Sequence, residues 1–302
     1  MNNGKQAEIQ EFINPNVYHN QPSLPYCQWD LRDLFNPMER EKAKKAGNAA
    51  KLWEELTEFA KNKGLDSTSL GLVVVEEQAK LAGFKPSSSW FSGEYVFGKE
   101  IKKIYCNPFP ILSIVKKYDK VYREKIVGPD GIPYMGSRYY PTKQEEANIT
   151  ELKNKYFIYQ RYLVALLEYT GKEYQLLHEV PFLFSPKKVT GIQFAQRYNQ
   201  MITTITGYYG VNIAPFVFAN HFSPISEIYR AAKNENLLSQ VVTPKFEEIQ
   251  NQEHLNTRFI GKKLGKHLEQ WYAQYSPAPP EADATLQISP YYEEDFSEDV
   301  AF

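Results

Sequence analysis

The segment 156–184 constrains the fold most. Tyr156–Glu168 and Tyr174–Phe184 are apolar, β-favouring runs, and YTGKE (169–173) between them carries a glycine turn. Two such runs around a short turn predict an antiparallel hairpin. Short β-type runs also fill 90–126, bounded by Gly and Pro, and LPYCQW (24–29) and LGLVVV (70–75) read as further strands. Helical periodicity marks 37–63, with Asn36 as N-cap, Pro37 at the first helical position and Gly64 as the stop. It also marks 76–82, closed by Gly83, and 186–209, with Ile192, Phe194, Tyr198, Met201 and Ile205 on the apolar positions. The stretch 243–275 reads as one C-terminal helix capped by Thr243–Pro244. Residues 127–150, with the GPDGIP turn signal, read as a loop or long finger, 216–219 as a short strand, and 225–240 has no clear type.

The order of these elements contains no alternating βαβ units, so the expected class is α+β. The expected architecture is a small antiparallel, OB-like β-barrel with inserted helices and a C-terminal helix, spanning 23–275. A flexible arm, 1–22, precedes it, and a disordered linker and acidic tail, 276–302, follow it. No apolar run reaches the roughly 20 residues of a membrane helix, and Met1–Gln10 is polar, so a cytoplasmic location is expected. Cys27 and Cys106 are too few for a disulfide scaffold and read as buried thiols.

Charge divides the chain. It carries 35 Lys+Arg and 36 Asp+Glu, yet seven of the acids and none of the bases fall in 281–302. Residues 1–280 therefore hold 35 bases against 29 acids. The surplus sits in 95–200, with 17 Lys+Arg against 10 Asp+Glu. Such asymmetry is a cue for nucleic-acid binding or an interaction tail.

Catalytic signatures are missing. Gly171-Lys172 lacks the upstream glycine and following Ser/Thr of a phosphate-binding loop, and no G-x-G-x-x-G or G-x-S-x-G occurs. None of His19, His178, His221, His254 and His267 has a His or Cys partner at metal-ligand spacing. A non-enzymatic protein without metal or cofactor is expected. The second alternative is an enzyme whose site assembles across the fold, a reading that a pocket with converging carboxylates or a histidine with a carboxylate partner would favour.

The last residues read PYYEEDFSEDVAF. Like charges without counter-ions repel and stay solvated. A closing aromatic with a carboxylate suits a partner pocket that offers an apolar hole beside a cation. This acidic segment after a Pro-containing linker resembles the C-terminal tip of bacterial and phage single-stranded DNA-binding proteins. Ala301 stands where that family usually has proline. The resemblance implies that Asp295, Phe296, Glu298, Asp299, Val300, Ala301 and Phe302 recruit replication, recombination or repair proteins, and that the tail competes with DNA for a basic groove. The run of LPYCQW (24–29), LGLVVVEEQAKLAGF (70–84), a hairpin, a helix and a helix ending QWYAQY (270–275) is also similar to a cyanobacterial and plasmid family of unknown function, a likeness that implies no mechanism.

The matching groove would lie in the basic middle, where rings alternate with bases: KKYDKVYREK (116–125), SRYYPTK (137–143) and KYFIYQRY (155–162). The chain has 44 Phe, Trp and Tyr in 302 residues, which serve either a β-rich core or a stacking surface. On the stacking reading, Tyr118, Tyr122, Tyr139 and Tyr140 stack bases, while Lys116, Lys117, Lys120, Arg123, Arg138 and Arg161 contact phosphates. Trp90 and Phe91 are further candidates. The expected function is single-stranded DNA binding. The first alternative is a structural or protein-interaction component of a phage or mobile element with a solubilising tail.

Overall fold

β7 (Tyr156–Tyr169) is buried without interruption from Arg161 to Leu167, and this fixes how the layers stack. A strand covered on both faces reads as a continuous apolar run, as YLVALL does here. The computed structural model describes residues 24–30, 33–38, 40–41, 49–97, 100–127, 133–186, 188–231 and 234–276. The expected N-terminal arm, and the tail from residue 277 onward, lie outside the described residues.

In chain order the first elements are β1 (Tyr26–Trp29), α1 (Ala49–Asn62), β2 (Leu72–Val75), α2 (Glu76–Ala82), β3 (Phe91–Phe97) and β4 (Glu100–Asn107). Then come β5 (Ile111–Val127), β6 (Pro133–Tyr139), α3 (Lys143–Ala147), α4 (Ile149–Lys155), β7, β8 (Tyr174–Leu176) and β9 (Phe182–Phe184). The last are α5 (Lys188–Tyr209), a 3-10 turn (Pro215–Val217), β10 (Asn220–Ala231), β11 (Asn234–Phe246), α6 (Gln252–Thr257) and α7 (Lys262–Gln274). The class is α+β. One eleven-stranded sheet runs β11-β10-β5-β7-β9-β1-β2-β4-β3, with β6 added to β5 and β8 to β7. The β1–β9 pair is parallel and the other ladders are antiparallel. The expected hairpin is the β7–β8 pair.

Strand alternation sends Tyr162, Val164 and Leu166 of β7 toward α5, where Phe194, Tyr198, Met201 and Ile205 meet them. The rings of Tyr162 and Phe194 stand edge to face at 4.8 Å. The intervening Leu163, Ala165 and Leu167 face Val115, Leu268 and Trp271, so α7 closes the other side. A third cluster seats Leu52, Trp53 and Leu56 of α1 on Val73, Val75, Tyr95 and Ile104. Each such side chain contributes about 1.5–3 kcal/mol by leaving water.

Buried His178 ties the layers. Its Nε2 accepts the Leu166 N–H at 2.7 Å, and its Nδ1 donates to the Val180 carbonyl at 2.7 Å. The ring stacks on Trp271 at 5.5 Å. Only the neutral imidazole can accept at one nitrogen and donate at the other. Burial holds its pKa down at about 3.

Three sequence expectations need correction, and one stretch without a clear type is resolved. The finger 127–150 carries β6 on the flank of β5 and then α3 and α4. Its Gly136 lets β6 lie close over Ile126, whose Cδ1 would be 2.6 Å from an added Cβ. Residues 215–217 form a 3-10 turn with Pro215 at its start, followed by a single Phe218–Phe259 bridge. Residues of no clear type form the long β10–β11 hairpin. The C-terminal helix is shorter than 243–275, because Thr243 and Pro244 belong to β11. Pro244 lies opposite Pro224, and Thr243 Oγ1 donates to Glu227 Oε2 at 2.7 Å. Arg197 of α5 donates to the Pro244 carbonyl and pairs with Glu227 at 2.9 Å, so tertiary bonds override the local capping signal. The two helices that follow are divided before Gly261, whose φ is +86°.

Gly71 has φ +73°, and an added Cβ would lie 2.2 Å from the Asn107 carbonyl oxygen. Gly71→Ala should lower unfolding free energy by about 2–4 kcal/mol in urea titrations. Gly64→Ala has open space around it and should cost only about 1 kcal/mol of left-handed strain. His178 has a depressed folded-state pKa, so its contribution is complete above the ordinary value of 6.5 and declines as pH falls toward 3. The unfolded chain binds the extra proton in that window, giving a slope of about 1.4 kcal/mol per pH unit. His178→Gln should reduce the acid dependence of stability by about that slope.

Candidate nucleic-acid interface

β5 has 17 residues and outlasts its neighbours. Near its start β10 pairs with it at Ile111 and Leu112, and near its end β6 takes that same flank from Tyr122 to Val127. β7 follows it on the other side from Ile111 to Glu124. Beyond Tyr162, where β9 stops, the β6-β5-β7 segment continues as a three-stranded ribbon. Register shifts between Ile114 and Lys116, and between Lys117 and Lys120, bend β5 where it leaves the core.

Register assigns the ribbon's two faces. Tyr122 lies opposite both Tyr139 and Ile158, and Glu124 opposite Tyr156. This face is covered by α3 and α4. Tyr122 is 3 % exposed and donates to Glu146 Oε1 at 3.0 Å. Burial and then that bond push its phenol up to about 12. Tyr139 lies flat on Tyr156 at 4.4 Å and 8°, and donates to Glu145. Glu145 also accepts from Thr142 in the capping box that starts α3. Its carboxyl is held below the usual range, first by the Tyr139 bond and then by Thr142.

The other face gathers cations and rings. Arg123 lies opposite both Arg138 and Phe157, and Val121 opposite Tyr159. Arg123 Nη1 donates to the Gly136 carbonyl at 3.1 Å, which lays its guanidinium along β6. Lys125 Nζ stands 5.5 Å from the Phe157 ring centre, and Arg138 Cζ stands 4.8 Å from that of Tyr140. Tyr140 is 72 % exposed. Cation–π contacts hold both charges beside rings that a flat ligand can cover.

At the root of this face Tyr118 donates its hydroxyl to the Tyr275 carbonyl at 2.9 Å, under the Arg161 guanidinium at 5.7 Å. Lys116 Nζ donates to Ser276 O and Oγ, each at 2.9 Å, and lies over Tyr272. The chain thus leaves its last described residue, Ser276, beside the basic face.

Of the ten residues expected to bind DNA, three share this face: Arg123, Arg138 and Tyr140. Tyr118 and Tyr122 are corrected to packing residues, since neither ring offers a free face to a base. Arg161 is 2 % exposed and is corrected to a buried partner of Tyr118. Tyr139 already has a ring on it. Lys116 is engaged by Ser276. Lys117 lies on the α5 side at 3.4 Å from Asn199 Oδ1, its pKa lowered by burial and then by Lys120. Lys120 is exposed, on the face of Tyr122. Lys125, Phe157 and Tyr159 join the face without having been singled out in the sequence. Their signal was the alternation in KYFIYQRY, which becomes readable only once α3 and α4 fix the covered side. The tail residues 295–302 lie outside the described residues.

A second polar cluster joins β8, β10, β11 and α6. Tyr174 Oη is 3.0 Å from His221 Nε2, and Glu247 takes Arg258, with His221 and His254 each at 3.7 Å. Burial first, then Arg258, holds His221 down at about 4. Cys27 and Cys106 are buried, and burial pushes both thiols up, away from the reactive thiolate. Among the described residues no group of three or more His, Cys, Asp and Glu is placed to hold a metal ion. No described helix is long and apolar enough to cross a membrane.

The family model described as a domain of unknown function, DUF5895, covers residues 61–232. No curated protein matches the chain, and no solved structure does. The matched span is more than half of the chain and runs from the end of α1 through β10, so it contains the whole basic ribbon. The chain therefore belongs to the DUF5895 family.

Proposed function

We propose that this protein binds single-stranded DNA along the Arg123 face of the β6-β5-β7 ribbon. The observation that carries the reading is the register pair Arg123–Arg138, flanked by Lys125 on Phe157 and by Arg138 on Tyr140. Phosphates are neutralised by the cations while bases lie on the exposed rings, an arrangement that is tolerant of sequence. In this reading β5 and β7 act as the wall of an OB-like barrel, and the β5–β6 hairpin is its finger.

The acidic segment 281–302 has the second role. It follows Ser276, which Lys116 holds at the root of the basic face. Its acids compete there with phosphates, and its residues 295–302 recruit replication or recombination proteins once DNA displaces them.

Anisotropy titrations with fluorescent oligo-dT at several salt concentrations test the reading. The full chain should bind at low salt, with affinity falling steeply as salt rises. Arg123→Glu with Arg138→Glu should weaken binding at least roughly tenfold and flatten the salt slope by about two. Tyr140→Ala should cost about 1–3 kcal/mol of binding. Deleting 281–302 should tighten binding. No binding at low salt, with the tail present or deleted, rejects DNA binding and favours a protein-interaction role.

A further inference from the structure

Far along the sheet from the ribbon, the α1–β3–β4 corner holds an open cleft of about 360 Å³. Its walls are the rings of Phe59, Phe91 and Phe109. Phe59 meets Phe91 edge-on at 5.3 Å and Phe109 at 5.9 Å. All three remain half-buried, so the cleft presents ring surface to solvent. Phe91, conspicuous in the sequence after SSS, is placed here, whereas its neighbour Trp90 is buried.

The cleft is rigid. Phe109 sits between Pro108 and Pro110, and its N–H donates to Asn107 Oδ1 at 2.8 Å. Asn107 is buried, and its carbonyl lies against Gly71. Asn107 Nδ2 in turn donates to Ser89 Oγ at 3.3 Å, and Ser87 and Ser89 hydroxyls lie 2.9 Å apart. A site whose polar groups are fixed beforehand loses little entropy on binding.

The rim is cationic. Lys63 follows the end of α1, where Gly64 turns the chain with φ +68°. Its Nζ lies 5.6 Å from the Phe59 ring centre, at the mouth of the cleft. Among the described residues no carboxylate pairs with it. Exposed Ser88 and Ser89 face the same mouth.

Rings below, hydroxyl donors at the side and an unneutralised ammonium at the rim define one ligand chemistry. We propose that this cleft binds a flat aromatic base carrying a phosphate, held by Phe59, Phe91 and Phe109 through its ring and by Lys63, Ser88 and Ser89 through its anion. Its volume falls within the usual range for small-ligand clefts. The same chemistry comes from a free nucleotide or from the 5′-phosphorylated end of a strand.

The test uses the full-length Arg123→Glu/Arg138→Glu protein, which keeps the ribbon out of the measurement. Fluorine-labelled phenylalanine reports on Phe59, Phe91 and Phe109 during titration with AMP, adenosine, inorganic phosphate, and a trinucleotide with or without a 5′-phosphate. AMP or the phosphorylated trinucleotide should shift these resonances at sub-millimolar concentration, and whichever binds tighter identifies the source. The form lacking phosphate should bind roughly fivefold more weakly. Lys63→Ala should remove that difference while leaving adenosine binding unchanged. Silence of all three resonances with every probe at millimolar concentration overturns the proposal. So does a phosphate preference that survives Lys63→Ala.

Discussion

The β5–β7 ladder is the interaction on which the rest depends. Its inner half, from Ile111–Leu167 to Lys117–Tyr162, is a core strand pair with α5 on one side and α7 on the other. Its outer half, from Lys120–Gln160 to Glu124–Tyr156, leaves that core and carries β6 as a third strand. The register shift between Lys117 and Lys120 separates two environments within one pair of strands. Hydrophobic burial pins the inner half, and the register it sets is inherited by the outer half, where a slip of one residue would exchange the two faces.

That inheritance explains how charge is sorted. α3 and α4 cover the face with Tyr122 and Tyr139, so those phenols bond to Glu146 and Glu145. The opposite face receives Arg123, Arg138 and Lys125 together with Phe157 and Tyr159. Basic residues and rings alternate in sequence because the strand alternates in space. On the proposed reading, a polyanion lies along the Arg123 face.

The strongly periodic parts of the sequence were legible. The β7–β8 hairpin, α2 with its Gly83 cap, and α5 follow from apolar spacing and turn chemistry. The basic aromatic segment was also identifiable as the place where charge concentrates. What was not legible depends on partners distant in sequence. Thr243–Pro244 has the composition of a helix start, yet bonds from Glu227 and Arg197 make it strand. Tyr118 and Arg161 look like binding residues, yet each packs on the other at the root of the ribbon, closed by Tyr275. Alternation shows that half the rings in 155–162 face one way, but the choice of half is made by α3 and α4.

Whether DNA lies along the Arg123 face is tested by photocrosslinking of a 5-iodouracil-substituted oligo-dT to the full chain, followed by mass-spectrometric mapping of the attached residues. Crosslinks are expected at Tyr140, Phe157 and Tyr159 and none at Tyr122 or Tyr118. Crosslinks along the β10–β11 hairpin, with none on the β6-β5-β7 ribbon, would contradict that placement.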